Sequence, residues 1–167
     1  LTAIPDYYFM DELLTDEHKL IRQSVRDWVE SFVMPKIDEA AQNHTDIPNL
    51  MKELGKIGAL GPYIPEEYGG SGLDQISYGI IMQELERGDS AVRSAASVQS
   101  SLVMFPINEY GSEEQKYKYL PHLASGEMIG AFGLTEPNHG SDPSSMETHF
   151  EDKGDHYLLN GAKMWIT

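Results

Sequence analysis

A chain of 167 residues, 40% of them hydrophobic, carries enough apolar material for a buried core rather than disorder. Twelve Lys and Arg against 27 Asp and Glu leave a net charge of −15, which repels polyanions and argues against general nucleic-acid binding. The absence of cysteine excludes a disulfide framework and a thiolate metal site, and fits a reducing compartment.

The N-terminal stretch LTAIPDYYFMDELL has no basic start ahead of an apolar run, and no run approaches the ~18–20 apolar residues that span a bilayer. A soluble intracellular protein is expected, cytoplasmic or, in a eukaryote, of the mitochondrial matrix. Leu20, Ile21, Val25, Trp28, Val29 and Phe32 recur at helical spacing behind a Thr15 or Asp16 cap, and Pro35 is expected to bend or end that helix. Helical texture returns over Ile37 to Gln42 and again over Asn49 to Ile57, where Leu50, Leu54 and Ile57 share a face before Gly58. Core packing accounts for such stripes.

Gly61 to Asp74, rich in Gly, Pro and acids, reads as a loop. Ile76, Ile80, Ile81, Glu84 and Leu85 predict a helix from about Gln75 to Gly88, and Asp89 or Ser90 then caps another, through Val92, Val98, Leu102 and Val103 to about Met104. Ser112-Glu-Glu-Gln115 fits a capping box, so a helix through Tyr117 and Leu120 should follow.

After Ser125 and Gly126 the texture changes to strands. Met128 to Thr135 is a short apolar run, His149 to Lys153 and His156 to Leu159 flank the Lys153-Gly-Asp155 turn, and Asn160-Gly161 is a second turn before Ala162 to Thr167. The expected fold class is α+β and multidomain: an N-terminal all-α helical domain over residues 1–127, then the first strands of an antiparallel β-domain over residues 128–167. Three or so strands cannot bury themselves, so this stretch is expected to be the opening part of a larger β-domain.

Two constellations carry chemistry. In Phe132 to Asp142, FGLTEPNHGSD, the backbone turns through Pro137 and Gly140 and then offers the amide and hydroxyl of Ser141, a pattern suited to close approach by phosphate oxygens. Thr135 and Thr167 add hydroxyls for the polar edge of a ring, so the stretch reads as a flavin cradle; a plain loop is the competing reading of the turn taken alone. Arg93 and Ser94 fall in the first turn after the Gly88-Asp89-Ser90 break, where free amides, a positive helix end, a guanidinium and a hydroxyl converge in a way that suits a carboxylate. An ordinary exposed Arg at a helix start is the alternative. Glu136 is a candidate base, but the proline after it and its place in the turn favour a structural role. The six histidines have no ligand spacing, and no metal site is expected.

FGLTEPNHGSDPSSMET, with NGAKMWIT behind it, resembles the acyl-CoA dehydrogenase family and, within it, the glutaryl-CoA dehydrogenase branch. IPEEYGG from Ile64, ELER from Glu84, RSAASVQSSL from Arg93 and YGSEEQ from Tyr110 repeat the likeness, which covers nearly the whole chain. The resemblance implies FAD as cofactor, with Phe132, Gly133, Leu134 and Thr135 along the ring, Gly140 and Ser141 at the pyrophosphate, and Trp165, Ile166 and Thr167 covering the other side of the ring. It implies an acyl-CoA substrate, with Arg93 and Ser94 holding a distal carboxylate, Glu86 in the same polar network and Ser141 touching the acyl-CoA. His139 is bulkier than the residue often found there and reads as an exposed loop histidine.

Further implications lie outside these residues. The general-base Glu is expected beyond Thr167, in a C-terminal helical domain, so no catalytic residue is assigned within the chain. The implied reaction is dehydrogenation of glutaryl-CoA with decarboxylation to crotonyl-CoA, electrons passing to an electron-transferring flavoprotein, in a homotetramer. Alternatives are a dehydrogenase for another short-chain or carboxylated acyl-CoA, or a non-catalytic CoA-binding module on the same scaffold. Because CoA and FAD are anions and the chain is acidic, their binding has to come from local donors and helix ends.

Overall fold

The computed structural model describes residues 6–167, and the chain forms two compact units that divide between Gly130 and Ala131. Leu1 to Pro5, the start of the stretch read for a targeting signal, lie outside the described residues. Among the described residues no helix is long and apolar enough to cross a membrane.

The first unit is helical. Helix α1, Asp16–Trp28, begins at Thr15, whose Oγ1 accepts from the His18 amide at 3.2 Å while His18 Nδ1 accepts from the Thr15 amide at 3.3 Å. This is a capping box in which a histidine fills the position usually held by Glu or Gln. Of the two expectations for Pro35, a bend or an end, the end does not occur: α1 passes through a π-helical segment, Val29–Val33, into α2, Met34–Asn43. A proline ring in an α-helix collides with the carbonyl four residues back, and the wider π turn in front of it relieves that collision. The device recurs after α5, Ser90–Ser97, where a π segment, Val98–Met104, leads into α6, Phe105–Tyr110, with Pro106 in its first turn. The helix expected to stop near Met104 therefore reaches Tyr110.

Helix α3, Leu50–Lys56, precedes the irregular Gly-rich stretch, and α4, Gln75–Gly88, starts from Asp74, whose carboxylate accepts from the Ser77 amide at 2.7 Å. Ser112 and Gln115 form the expected capping box at the head of α7, Glu113–Ala124. Helix α1 packs on α4, and α4 on α5. Their shared core holds Val25, Val29, Val33, Leu54, Ile81, Leu85, Val92 and Ala96, and a second cluster joins Ile64, Tyr68 and Met104 to Leu120 and Leu123 of α7. Leu20, which shares the apolar spacing of α1, is 68% exposed and outside this core. Gly88 permits the close approach of α4 to the π segment after α1, since a Cβ there would overlap Val29.

Buried Glu84 is the charged group inside this packing. It takes two hydrogen bonds from Arg26, at 2.8 and 3.0 Å, with Arg87 at 3.6 Å, the pairing a buried carboxylate requires. Gln99, also buried, donates to the carbonyls of Leu123 and Met128 and accepts from the Gly130 amide. Its side chain thus satisfies Met128 to Gly130 in place of a neighbouring strand.

The second unit contains one antiparallel ladder, β1, His149–Asp152, with β2, Tyr157–Asn160, in the register His149 to Asn160 and Asp152 to Tyr157. The turn between them is closed by the Lys153 amide on the His156 carbonyl at 2.9 Å, with Gly154 at φ +91°. The expected strands over Met128 to Thr135 and Ala162 to Thr167 are not formed. A strand exists through its neighbours, and these segments have no ladder partner among the described residues. One backbone bond, from the Met164 amide to the Thr135 carbonyl at 2.9 Å, ties the two segments together, beside the bond from Lys163 Nζ to the Leu134 carbonyl.

Candidate functional site

The first constellation sits where α4 gives way to α5. Asp89 accepts from the Ala91 and Val92 amides and so turns the chain into α5, leaving Glu86 in the last turn of α4 and Arg93 in the first turns of α5. Arg93 Nε donates to Glu86 Oε2 at 2.6 Å, and Ser90 Oγ donates to Glu86 Oε1 at 2.5 Å. Arg93 first, and then Ser90, hold the Glu86 carboxyl below its usual range. Arg93 Nη1 also reaches Ser97 Oγ at 3.4 Å, and Ser97 donates to the Ser94 carbonyl.

Glu86 and Arg93 are thus brought together in one patch, joined by Ser90 and Ser97, which the sequence reading did not select as site residues; Ser94 is linked to it through its carbonyl. A signal for the two serines was present: Ser90, Arg93 and Ser97 repeat at three and four, the spacing of one face of α5, while Glu86 lies on α4 across the extended Asp89. The Arg93 side chain is 37% exposed and keeps part of its fork of donors available, so the patch can accept a carboxylate beside the one it already holds.

The second constellation lies wholly in residues 131–167. Phe132, Leu134 and Ile166 each leave about two fifths of their surface open, and Trp165 leaves 87%. Gly140 and Ser141 are exposed beyond the Pro137-Asn138 turn, which closes by paired bonds of 3.2 Å between the backbones of Glu136 and His139. A Cβ on Gly140 would meet nothing within 4 Å. The adjacent Asp142 carboxylate accepts from the hydroxyls of Ser144 and Ser145, which fix its orientation and favour its ionised form. Apolar faces for a flat ring and an open Gly-Ser turn for an anionic tail fit a flavin dinucleotide.

Glu136 is the buried side chain of this unit, at 5% exposure. It accepts from the Glu147 amide at 2.7 Å, the Thr148 amide at 2.9 Å and Lys163 Nζ at 2.9 Å. Thr148 first, then Lys163 and the Glu147 amide, keep its carboxyl far below the usual range. The Thr148 hydroxyl itself has no hydrogen-bond partner, and the bond from this residue to Glu136 comes from its amide. An anion this well satisfied organises backbone and is a poor proton acceptor. His139 departs from its expected exposure: its side chain is 19% exposed and faces Glu147 at 3.3 Å. Among the described residues no group of His, Asp and Glu could hold a metal ion.

The family model for the acyl-CoA dehydrogenase N-terminal domain matches residues 15–127, and that for the acyl-CoA dehydrogenase middle domain matches residues 131–167. A glutaryl-CoA dehydrogenase of Desulfococcus multivorans is 41% identical over 95% of this chain and 41% of its own length. A short-chain-specific acyl-CoA dehydrogenase of Clostridium acetobutylicum is 43% identical over 95% of this chain and 42% of its own. Among solved structures, a glutaryl-CoA dehydrogenase from Mycobacterium smegmatis in complex with FADH2 matches with a TM-score of 0.91 and 45% identity, covering 95% of this chain and 41% of that one. The chain therefore spans about two fifths of the length of these relatives. Two family models that between them take up nearly all of its residues make the chain a member of the acyl-CoA dehydrogenase family, comprising the helical N-terminal domain and the first part of the middle domain.

Proposed function

We propose that the protein is an FAD-dependent acyl-CoA dehydrogenase acting on glutaryl-CoA, with decarboxylation of the product to crotonyl-CoA. The observation that carries the substrate is the Glu86–Arg93 pair with Ser94 beside it, at 2.6 Å between the charged atoms. Overall identity does not choose, since a short-chain relative and a glutaryl-CoA relative are about equally similar. The guanidinium supports a carboxylated chain: beside a plain hydrocarbon tail it would be desolvated without gain, whereas a distal carboxylate gains a charge-assisted bond.

In this reading Arg93 and Ser94 bind the distal carboxylate, and Glu86 holds Arg93 in place and tempers its charge. Phe132, Gly133, Leu134 and Thr135 line one side of the ring system, Trp165, Ile166 and Thr167 the other, and Gly140 and Ser141 hold the pyrophosphate, Ser141 also meeting the acyl-CoA. Bound FAD supplies the acceptor for the hydride that leaves the β-carbon. The α-proton is taken by a Glu beyond Thr167, and an electron-transferring flavoprotein and a homotetrameric assembly complete the reading.

The intact protein tests it. Arg93→Met should raise KM for glutaryl-CoA about 10- to 100-fold, the loss of one charged hydrogen-bonded pair, and change that for butyryl-CoA by less than about threefold. Equal loss on both substrates, or a wild-type preference for butyryl-CoA, would reject glutaryl-CoA and leave a short-chain dehydrogenase.

A further inference from the structure

Residues 131–167 contain no buried apolar side chain; their single buried group is the Glu136 carboxylate. Three stretches of chain converge on it: the turn at 136–139 to which it belongs, the entry to β1 through the amides of Glu147 and Thr148, and the segment before Trp165 through Lys163. Lys163 Nζ also donates to the Leu134 carbonyl at 3.0 Å. One ammonium therefore grips both a backbone carbonyl of the Phe132–Thr135 wall and the anion that anchors it.

The residues next to this grip are held in a form the chain does not choose unaided. Trp165 sits at φ +59°, the left-handed region that bulky side chains avoid, so its orientation depends on contacts on either side. The contact on the N-terminal side is the Lys163 grip, together with the Met164 amide on the Thr135 carbonyl at 2.9 Å. A compact ammonium with three donors suits two acceptors set at an angle, and a side chain without charge would leave the buried carboxylate short of a partner.

We propose that Glu136 and Lys163 are positioning residues for the flavin, an ion-paired staple that sets the separation of the Phe132–Thr135 and Trp165–Thr167 walls. The proposal rests on the assignment of those walls to the flavin made above. Neither residue touches the reacting atoms; their effect passes through the backbone of Leu134, Thr135 and Met164.

The test uses the intact protein, stripped of FAD and titrated with it, with binding read from quenching of flavin fluorescence. Lys163→Met and Glu136→Gln should each raise the dissociation constant about tenfold, the change that a coupling of about 1.4 kcal/mol produces. The double variant should be no worse than the weaker single one, and Lys163→Arg should recover part of the loss. Hydrogen exchange at the Met164 amide, measured without FAD, should quicken in Lys163→Met. Faster exchange with unchanged FAD affinity would reduce the pair to a structural role and overturn the proposal, as would unchanged exchange and affinity together. If Lys163→Met does not fold, Lys163→Gln, which keeps a donor for the Leu134 carbonyl, takes its place with the same two readings. Failure of the underlying assignment reads differently: Trp165→Ala would then leave FAD affinity untouched, or the wild-type protein would bind none.

Discussion

The helical unit and the 131–167 unit are held together by opposite means. In the first, apolar side chains such as Val33, Leu54 and Leu85 are fully buried and interior polar groups such as Glu84, Gln99 and Ser100 are paired within that packing. In the second, both faces of the β1–β2 hairpin are exposed, Phe150 and Tyr157 pair edge to face at 5.2 Å while staying exposed, and order is imposed by one carboxylate and its donors. Helices satisfy their own backbones and need only bury a stripe, whereas loops and lone hairpins must find partners for every N–H and C=O. Polar stapling is the means left to a stretch with little sheet of its own, and it suits a cradle, whose walls must stay open to a ligand.

The largest expected effect sharpens that contrast. Leu85→Ala removes a fully buried side chain between α1 and α4 and should destabilise the helical unit by about 3 kcal/mol in urea unfolding. Leu159→Ala, at a position 68% exposed on the hairpin, should change the stability of the 167-residue chain by less than about 0.5 kcal/mol. Comparable losses at both sites would break the distinction between the units.

A smaller effect is expected where the helical unit uses local polar bonds. Ser112→Ala deletes half of the capping box of α7 and should cost about 1 kcal/mol, read as a lower urea midpoint with an unchanged slope. The smallest concerns acid. The Ser77 amide, the Ser77 side chain and His18 depress the Asp74 carboxyl from 3.8 to about 2. A carboxylate depressed on folding adds stability above its unfolded pKa, and that contribution fades as pH falls toward the folded value. The gap in Tm between the wild-type chain and Asp74→Ala should therefore stay constant above about pH 5 and narrow between about pH 4 and pH 2. Since the Asp74 side chain is 54% exposed, the whole gap should be modest.

Much of the helical unit was legible because its signals are local. Asp89 and Ser112 act on amides two or three residues away, and the stripe that closes with Leu85 shows in the spacing of its neighbours. The two π segments escaped notice: Pro35 read as a bend or an end, the later helix read as stopping near Met104, and only the packed helices decide whether a chain widens one turn or breaks. Strands over Met128 to Thr135 and Ala162 to Thr167 were expected from apolar texture, yet a ladder depends on a neighbour and not on composition.

The candidate sites divide in the same way. Ser90, Arg93 and Ser97 share one face of α5, within reach of a spacing argument, whereas Glu86 meets them because Asp89 turns the chain from α4 into α5. Glu136 and Lys163 are 27 residues apart, and Arg26 and Glu84 are 58 apart, with nothing local to announce either pair.

Sequence alone was enough for the family, the class of ring the FGLTEPNHGSD and WIT segments suit, and the helices whose caps and stripes act over a single turn. Which charges face one another, how a proline is accommodated inside a helix, and where Trp165 is held were decided by the tertiary structure. These are long-range matters: burial makes an unpaired charge or amide costly, and the fold is the arrangement that brings distant partners within bonding distance.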